Sequence, residues 1–158
     1  MFLEASRRVA RDARGGRLSL AQKRALQGAL DYLRDAAPNH TLDEEESLFP
    51  ILRESGTAPS ALPLIEQLQK EHKKADRQHL DVEVLGRRWL EEVSLPEESA
   101  EQLRATLNSL AAMYRSHIEL EDSVLFPLAE KTLSAAEIKA LGCEMAARRG
   151  IDLDICKI

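Results

Sequence analysis

His40-Thr41-Leu42-Asp43-Glu44-Glu45-Glu46-Ser47-Leu48-Phe49-Pro50 recurs as His117-Ile118-Glu119-Leu120-Glu121-Asp122-Ser123-Val124-Leu125-Phe126-Pro127, at a constant offset of 77 residues. His, Glu, Leu, Phe and Pro are shared, and Glu45 corresponds to Asp122. Residues four apart on an α-helix lie on one face, about 6 Å from each other. Each copy therefore presents an imidazole beside a carboxylate, His40 with Glu44 and His117 with Glu121. Imidazole and carboxylate together are the donor set of non-haem iron sites. A single His-x-x-x-Glu pair is ordinarily a surface ion pair or a cap. Surface pairs do not require Leu-Phe-Pro at a fixed offset, so the repeat points to a metal site.

Working outward from the repeat, the breaks in the chain outline five helices. Residues 2–13 read as a short basic helix closed by Gly15-Gly16. Ser19 can cap a second helix, whose apolar Leu26, Leu30, Leu33 and Ala37 have helical spacing. That pattern continues past a kink at Pro38 to about Arg53. Ser55-Gly56-Thr57-Ala58-Pro59 is the next break. A third helix from about Ser60 to Val93 carries Leu64, Leu68, His72, Leu80, Val84 and Leu85 on its expected inner face. A fourth runs from about Glu97 to Lys131, after the break at Ser94-Leu95-Pro96, with Leu103, Leu107, Leu110, Tyr114, His117 and Leu125 inside. Ser134-Ala135-Ala136-Glu137 is a capping box that opens a fifth helix ending near Gly150. Long helices joined by short breaks predict an all-α, antiparallel up-down four-helix bundle with a shortened first helix and an extra C-terminal helix. One domain is expected over residues 1–150, followed by a short apolar tail, 151–158.

The bundle geometry brings in a third histidine. Residues equidistant from the loop of an antiparallel hairpin lie at one height. His40 and His72 are centred on Gly56, and His72 and His117 are centred between Ser94 and Leu95. Both centres fall in breaks, so His40, His72 and His117 are expected at one level. Around this set, Glu45, Asp76, His79, Tyr114 and Asp122 are candidates for an additional ligand or for hydrogen bonds to the ligands. His79 lies two turns from His72, about 10 Å along the axis, and suits the core better than the same ion.

Composition narrows the classes. The chain has 158 residues, 44% of them hydrophobic, which suits a domain with a core rather than a disordered segment. A net charge of −5 with dispersed basic residues argues against a nucleic-acid partner. No apolar run reaches the roughly 20 residues of a membrane span, and the charged N-terminal stretch is not a signal peptide, so a cytoplasmic protein is expected. The two cysteines, Cys143 and Cys156, form no C-x-x-C pair, and reduced thiols are the expectation.

The paired His-x-x-x-Glu motifs ending in Leu-Phe-Pro, with Glu71-His72 between them, resemble the hemerythrin-like HHE cation-binding family. The resemblance covers nearly all of the chain after the first helix. It implies a four-helix bundle around a non-haem di-iron centre. His40, His72 and His117 would be terminal ligands, with Glu44 and Glu121 bridging. Some members place the last carboxylate one residue later, at Asp122, but Glu121 repeats Glu44. Leu48, Phe49, Leu125 and Phe126 would wall or support the cavity. The implied function is binding of O2 or a related small ligand, in oxygen or iron sensing, carriage, or the handling of peroxide or nitric oxide. No separate acid–base set marks a dedicated enzyme. The alternative is a helical interaction or regulatory module, metal-modulated or metal-free.

The chain departs from that pattern in one respect. The family places another histidine on the first helix, and none precedes His40 here. The height of His40 would fall about eight residues before Met1, beyond a helix of about 18 Å. A truncated chain, an open or weak site, or a homodimer completing the wall are the expected consequences.

Overall fold

The computed structural model describes residues 2–54 and 61–156. The chain is all-α, 87% helical, with no strand among the described residues. In order the helices are α1 Phe2–Ala13, α2 Leu20–Asp35, α3 Ala37–Leu42, α4 Phe49–Glu54, α5 Ala61–Glu91, α6 Glu97–Leu120, α7 Phe126–Thr132 and α8 Ala135–Arg148. Two π-helical segments, Asp43–Leu48 and Glu121–Leu125, join α3 to α4 and α6 to α7. The expected break at Ser55–Pro59, with its centre at Gly56, lies outside the described residues.

The helices sort into two compact units. Unit 1 comprises Met1–Ala37 and Lys73–Ser116, and unit 2 comprises Pro38–His72 and His117–Ile158. In unit 1, α1 and α2 pack around Val9, Leu26, Leu30, Val82, Trp89, Leu103, Leu107 and Leu110. The turn after α1 needs glycine. Gly15 has φ +79°, and a Cβ there would stand 2.6 Å from Ala100 Cβ. The Trp89 indole N–H donates to the Gly16 carbonyl at 2.9 Å, which fixes the same turn.

Two expectations for the helix faces are corrected here. Leu80 and Val84 are 66% and 65% exposed, and Ala75, Val82, Leu85 and Trp89 form the buried side of this part of α5 instead. Steps of four residues rotate about 40° each on a helix of 3.6 residues per turn, so the series Leu64, Leu68, His72 drifts off the core by Leu80. The second predicted helix is interrupted at Ala36, two residues earlier than the kink expected at Pro38.

In unit 2, Phe49, Leu52, Ile65, Leu68 and Leu125 are fully buried, and Leu133 and Leu141 close the same cluster. The capping box appears as expected. Ser134 Oγ accepts from the Glu137 N–H at 3.3 Å, and Glu137 Oε2 accepts from the Ser134 N–H at 2.7 Å. The cysteines are not reduced thiols. Cys143 and Cys156 form a disulfide with Cα atoms 5.8 Å apart, which ties the segment after α8 back onto it. Sequence spacing alone cannot reveal that approach, because it depends on the turn at Gly150, whose φ is +68°. No helix among the described residues is long and apolar enough to cross a membrane.

Candidate metal centre

Both copies of the repeat fold in the same unusual way, and in each a proline disfavours the ordinary α turn. Pro50 and Pro127 lack the N–H of an α-helical turn, and their rings would strike the carbonyl four residues earlier. The preceding turn is widened instead. Phe49 N–H bonds to the Glu44 carbonyl and Phe126 N–H to the Glu121 carbonyl, a five-residue reach in each case. The conserved spacing within the repeat thus makes a π turn start at the very residue whose carboxylate faces inward.

Glu44, His72, His117 and Glu121 are all buried, and one ligand atom from each lies within 4.8 Å of every other. His72 Nε2 is 3.1 Å from Glu44 Oε2, and His117 Nε2 is 2.6 Å from Glu121 Oε1. The two Nε2 atoms are 3.1 Å apart. The other ring nitrogens are held from outside. His72 Nδ1 is 2.8 Å from Glu45 Oε1, and His117 Nδ1 is 2.7 Å from Glu71 Oε2. Gln69 bridges Glu45 to Arg53, donating to Glu45 and accepting from Arg53 Nη2 at 2.7 Å. The Phe49 ring stacks on His72 at 6.0 Å between centroids. With Nδ1–H donated to the outer carboxylates, each neutral ring directs its Nε2 lone pair inward.

This inward convergence lacks a complement among the described residues. While both rings are neutral, Glu44 Oε1, Glu44 Oε2 and Glu121 Oε1 are buried without a hydrogen-bond donor among the described residues. The short His117–Glu121 contact becomes a hydrogen bond only when the ring carries a second proton. In the metal-free protein it does so readily. Burial lowers the affinity of His117 for that proton, but Glu121 and Glu71 outweigh burial and raise its pKa to about 9. Burial likewise works against the charge on Glu121, yet His117 and His40 bring its pKa down to about 2. His72 is also raised, with Glu44 and Glu45 overcoming burial. Two protonated rings would meet at 3.1 Å. One divalent cation replacing those protons would satisfy both Nε2 atoms and the orphaned oxygens together, so the donor set fits a metal.

His40 stands at the rim. Its side chain is 50% exposed, and Nε2 lies 3.8 Å from both Glu44 Oε1 and Glu121 Oε2. The three histidines expected at one level therefore do converge. Glu121 rather than Asp122 joins the cluster, since Asp122 is exposed. Glu45 supports His72 through Nδ1. Asp76, His79 and Tyr114 belong to unit 1 and are not members of the cluster. Asp76 is exposed, and the Tyr114 hydroxyl and His79 Nε2 share a hydrogen bond of 2.7 Å. Burial lowers the His79 pKa, which favours its neutral form. Of the four expected wall residues, Leu48, Phe49 and Leu125 are buried, whereas Phe126 is 36% exposed. Glu71 was not expected in a site role. Residues one apart on a helix face different ways, so Glu71 reaches the outer Nδ1 of His117 at 2.7 Å while His72 brings its Nε2 to 3.1 Å from the inner Nε2 of the same ring. The Glu-His dipeptide was the available signal.

The fold and cluster define an all-α helical protein with a buried His₂Glu₂ donor set of the cation-binding kind. The model of the hemerythrin HHE cation binding domain matches residues 1–129, and the chain belongs to that family. No curated protein and no solved structure matches the chain.

Proposed function

We propose that the protein is a non-haem iron protein whose centre binds O2 or a related small ligand. The observation that carries this reading is the set of orphaned carboxylate oxygens facing two inward imidazole nitrogens. Glu44, His72, His117 and Glu121 would hold the inner ion. Glu44 Oε1, Glu121 Oε2 and His40 Nε2 offer a second, outer set, so both glutamates could bridge two irons. When bound, iron would supply a redox-active Lewis acid with a coordination position open to a small ligand. The chain's residues do the rest. Glu45 and Glu71 keep the imidazoles in the ligating tautomer and orientation. Phe49, Leu48 and Leu125 keep water away from the inner donors. The half-exposed His40 marks the side from which a ligand can enter.

Metal analysis and an optical spectrum after aerobic purification test the reading. Iron that is lost on replacing His72 or His117 by Ala, and a charge-transfer band sensitive to O2 or nitric oxide, are the expected results. An iron-free protein that takes up no iron under anaerobic loading would rule the reading out. The two donor sets are unequal, so the first equivalent of iron should resist chelators longer than the second.

A further inference from the structure

The family match ends at residue 129, whereas α8 starts at Ala135. This helix nevertheless packs on the first π segment. Its C-terminal end supplies two guanidinium groups to one buried carboxylate. Arg148 Nη1 and Arg149 Nη2 both donate to Asp43, whose side chain is only 8% exposed. Arg148 Nη2 also donates to Ser47 Oγ at 3.0 Å and lies 3.7 Å from Glu46. Asp43 and Ser47 bracket Glu44, whose own carboxylate meets only imidazoles of the site, His72 Nε2 at 3.1 Å and His40 Nε2 at 3.8 Å. No group outside the site orients that carboxylate, so its placement depends on its backbone, and α8 holds that backbone through Asp43 and Ser47.

The internal repeat shows that this clasp belongs to one copy only. At the offset of 77, Asp43, Glu46 and Ser47 correspond to Leu120, Ser123 and Val124, and Val124 is 44% exposed. The first copy carries the residues that α8 engages. The second copy has no acid at those positions, and its one hydroxyl there, Ser123 Oγ, donates to the Glu119 carbonyl at 2.6 Å instead.

We propose that Arg148 and Arg149 are positioning residues for the metal centre, holding the first π segment through Asp43 and Ser47 so that Glu44 meets the cation. The proposal rests on the metal-binding reading above. Removing partners that orient a ligand from outside ordinarily costs 10–100-fold in metal affinity. The full-length protein is titrated anaerobically with Fe(II), and separately with Co(II), whose visible spectrum reports coordination. Arg148→Gln/Arg149→Gln should weaken both ions at least about tenfold and alter the Co(II) spectrum. Arg148→Lys/Arg149→Lys, which keeps charge but not the planar fork, should recover part of the loss. Asp43→Asn, close to isosteric, tests the same clasp from the other side if the double Gln variant does not fold. All are assayed at a temperature where circular dichroism shows the variant folded. A purely structural role would lower the melting temperature and leave the Co(II) spectrum of the folded variant unchanged. That unchanged spectrum, or affinities within about threefold of wild type, would overturn the proposal while leaving the metal reading intact. A wild-type protein that binds neither ion would overturn both.

Discussion

Each half of the His117–Glu121 pair has a distinct task, and the two can be separated by substitution. Glu121 is 2% exposed beside His117, while its neighbour Asp122 faces solvent. Glu121→Gln is expected to lower metal affinity by at least about tenfold, and Asp122→Asn to leave it within about twofold. Isothermal titration with Co(II) reads both, and the opposite ranking would transfer the ligand role to Asp122. Proton competition makes a second prediction. The His117 pKa, about 9 without metal, lies above its unfolded value, so its ion pairs stabilise the metal-free fold fully below about pH 6.5 and are lost as pH rises through about 9. A cation must displace the same proton. Apparent metal affinity should therefore climb between pH 7 and 9, by up to about tenfold per pH unit for each proton released. Over that range the thermal stability of the metal-free protein should fall. A flat affinity profile would mean that the ring binds metal without losing a proton. Much of this was legible in the residues themselves. His-x-x-x-Glu places donors on one face by helix geometry alone, and His72 followed from its height. Glu71 was not legible as a partner of His117, because the two are 46 residues apart and meet only through the packing of α5 against the end of α6.

At the scale of the element, the π segments are the feature that joins sequence to site. Pro50 and Pro127 forbid an ordinary turn, and the widened turn places Glu44 and Glu121. Replacing either proline by alanine restores the missing N–H and permits a regular α-helix. Such a change should stabilise the metal-free protein, by up to about 3 kcal/mol if the helix fully regularises, and weaken metal binding. Chemical denaturation and Co(II) titration of Pro50→Ala and Pro127→Ala would read the two effects separately. Equal affinity in the variants would show that the π turns persist without proline. The prolines were visible in the sequence, yet the π turn itself was not read from them. A proline inside a helical pattern is equally consistent with a kink or an end, and only the surrounding packing selects the widened turn. The same limit applies to Leu80 and Val84. Apolar residues at helical spacing do not say which way the face has rotated by the time they occur.

For the molecule as a whole, the Cys143–Cys156 link is the strongest covalent constraint. It closes a short loop, with a sequence separation of 13 residues. A loop of this size constrains the unfolded chain by about 3 kcal/mol. Cys143→Ser/Cys156→Ser should lower unfolding free energy by about 2–3 kcal/mol, measured in urea. An unchanged midpoint would show that the link contributes nothing in solution. The link joins residues on either side of the Arg148–Arg149 clasp, so it tethers the end of the helix that holds Asp43. By itself the sequence determined the all-α class, the helix boundaries near Gly15, Ser19, Pro96 and Ser134, and the convergence of His40, His72, Glu44, His117 and Glu121. These follow from periodicity, capping and spacing, which are local and act wherever the chain goes. Only the tertiary structure decided that α8 flanks the first π segment, that the cysteines pair, and that Glu45 and Glu71 hold the imidazoles from outside. Those contacts join residues far apart in the chain, and nothing in local spacing specifies which surfaces will meet.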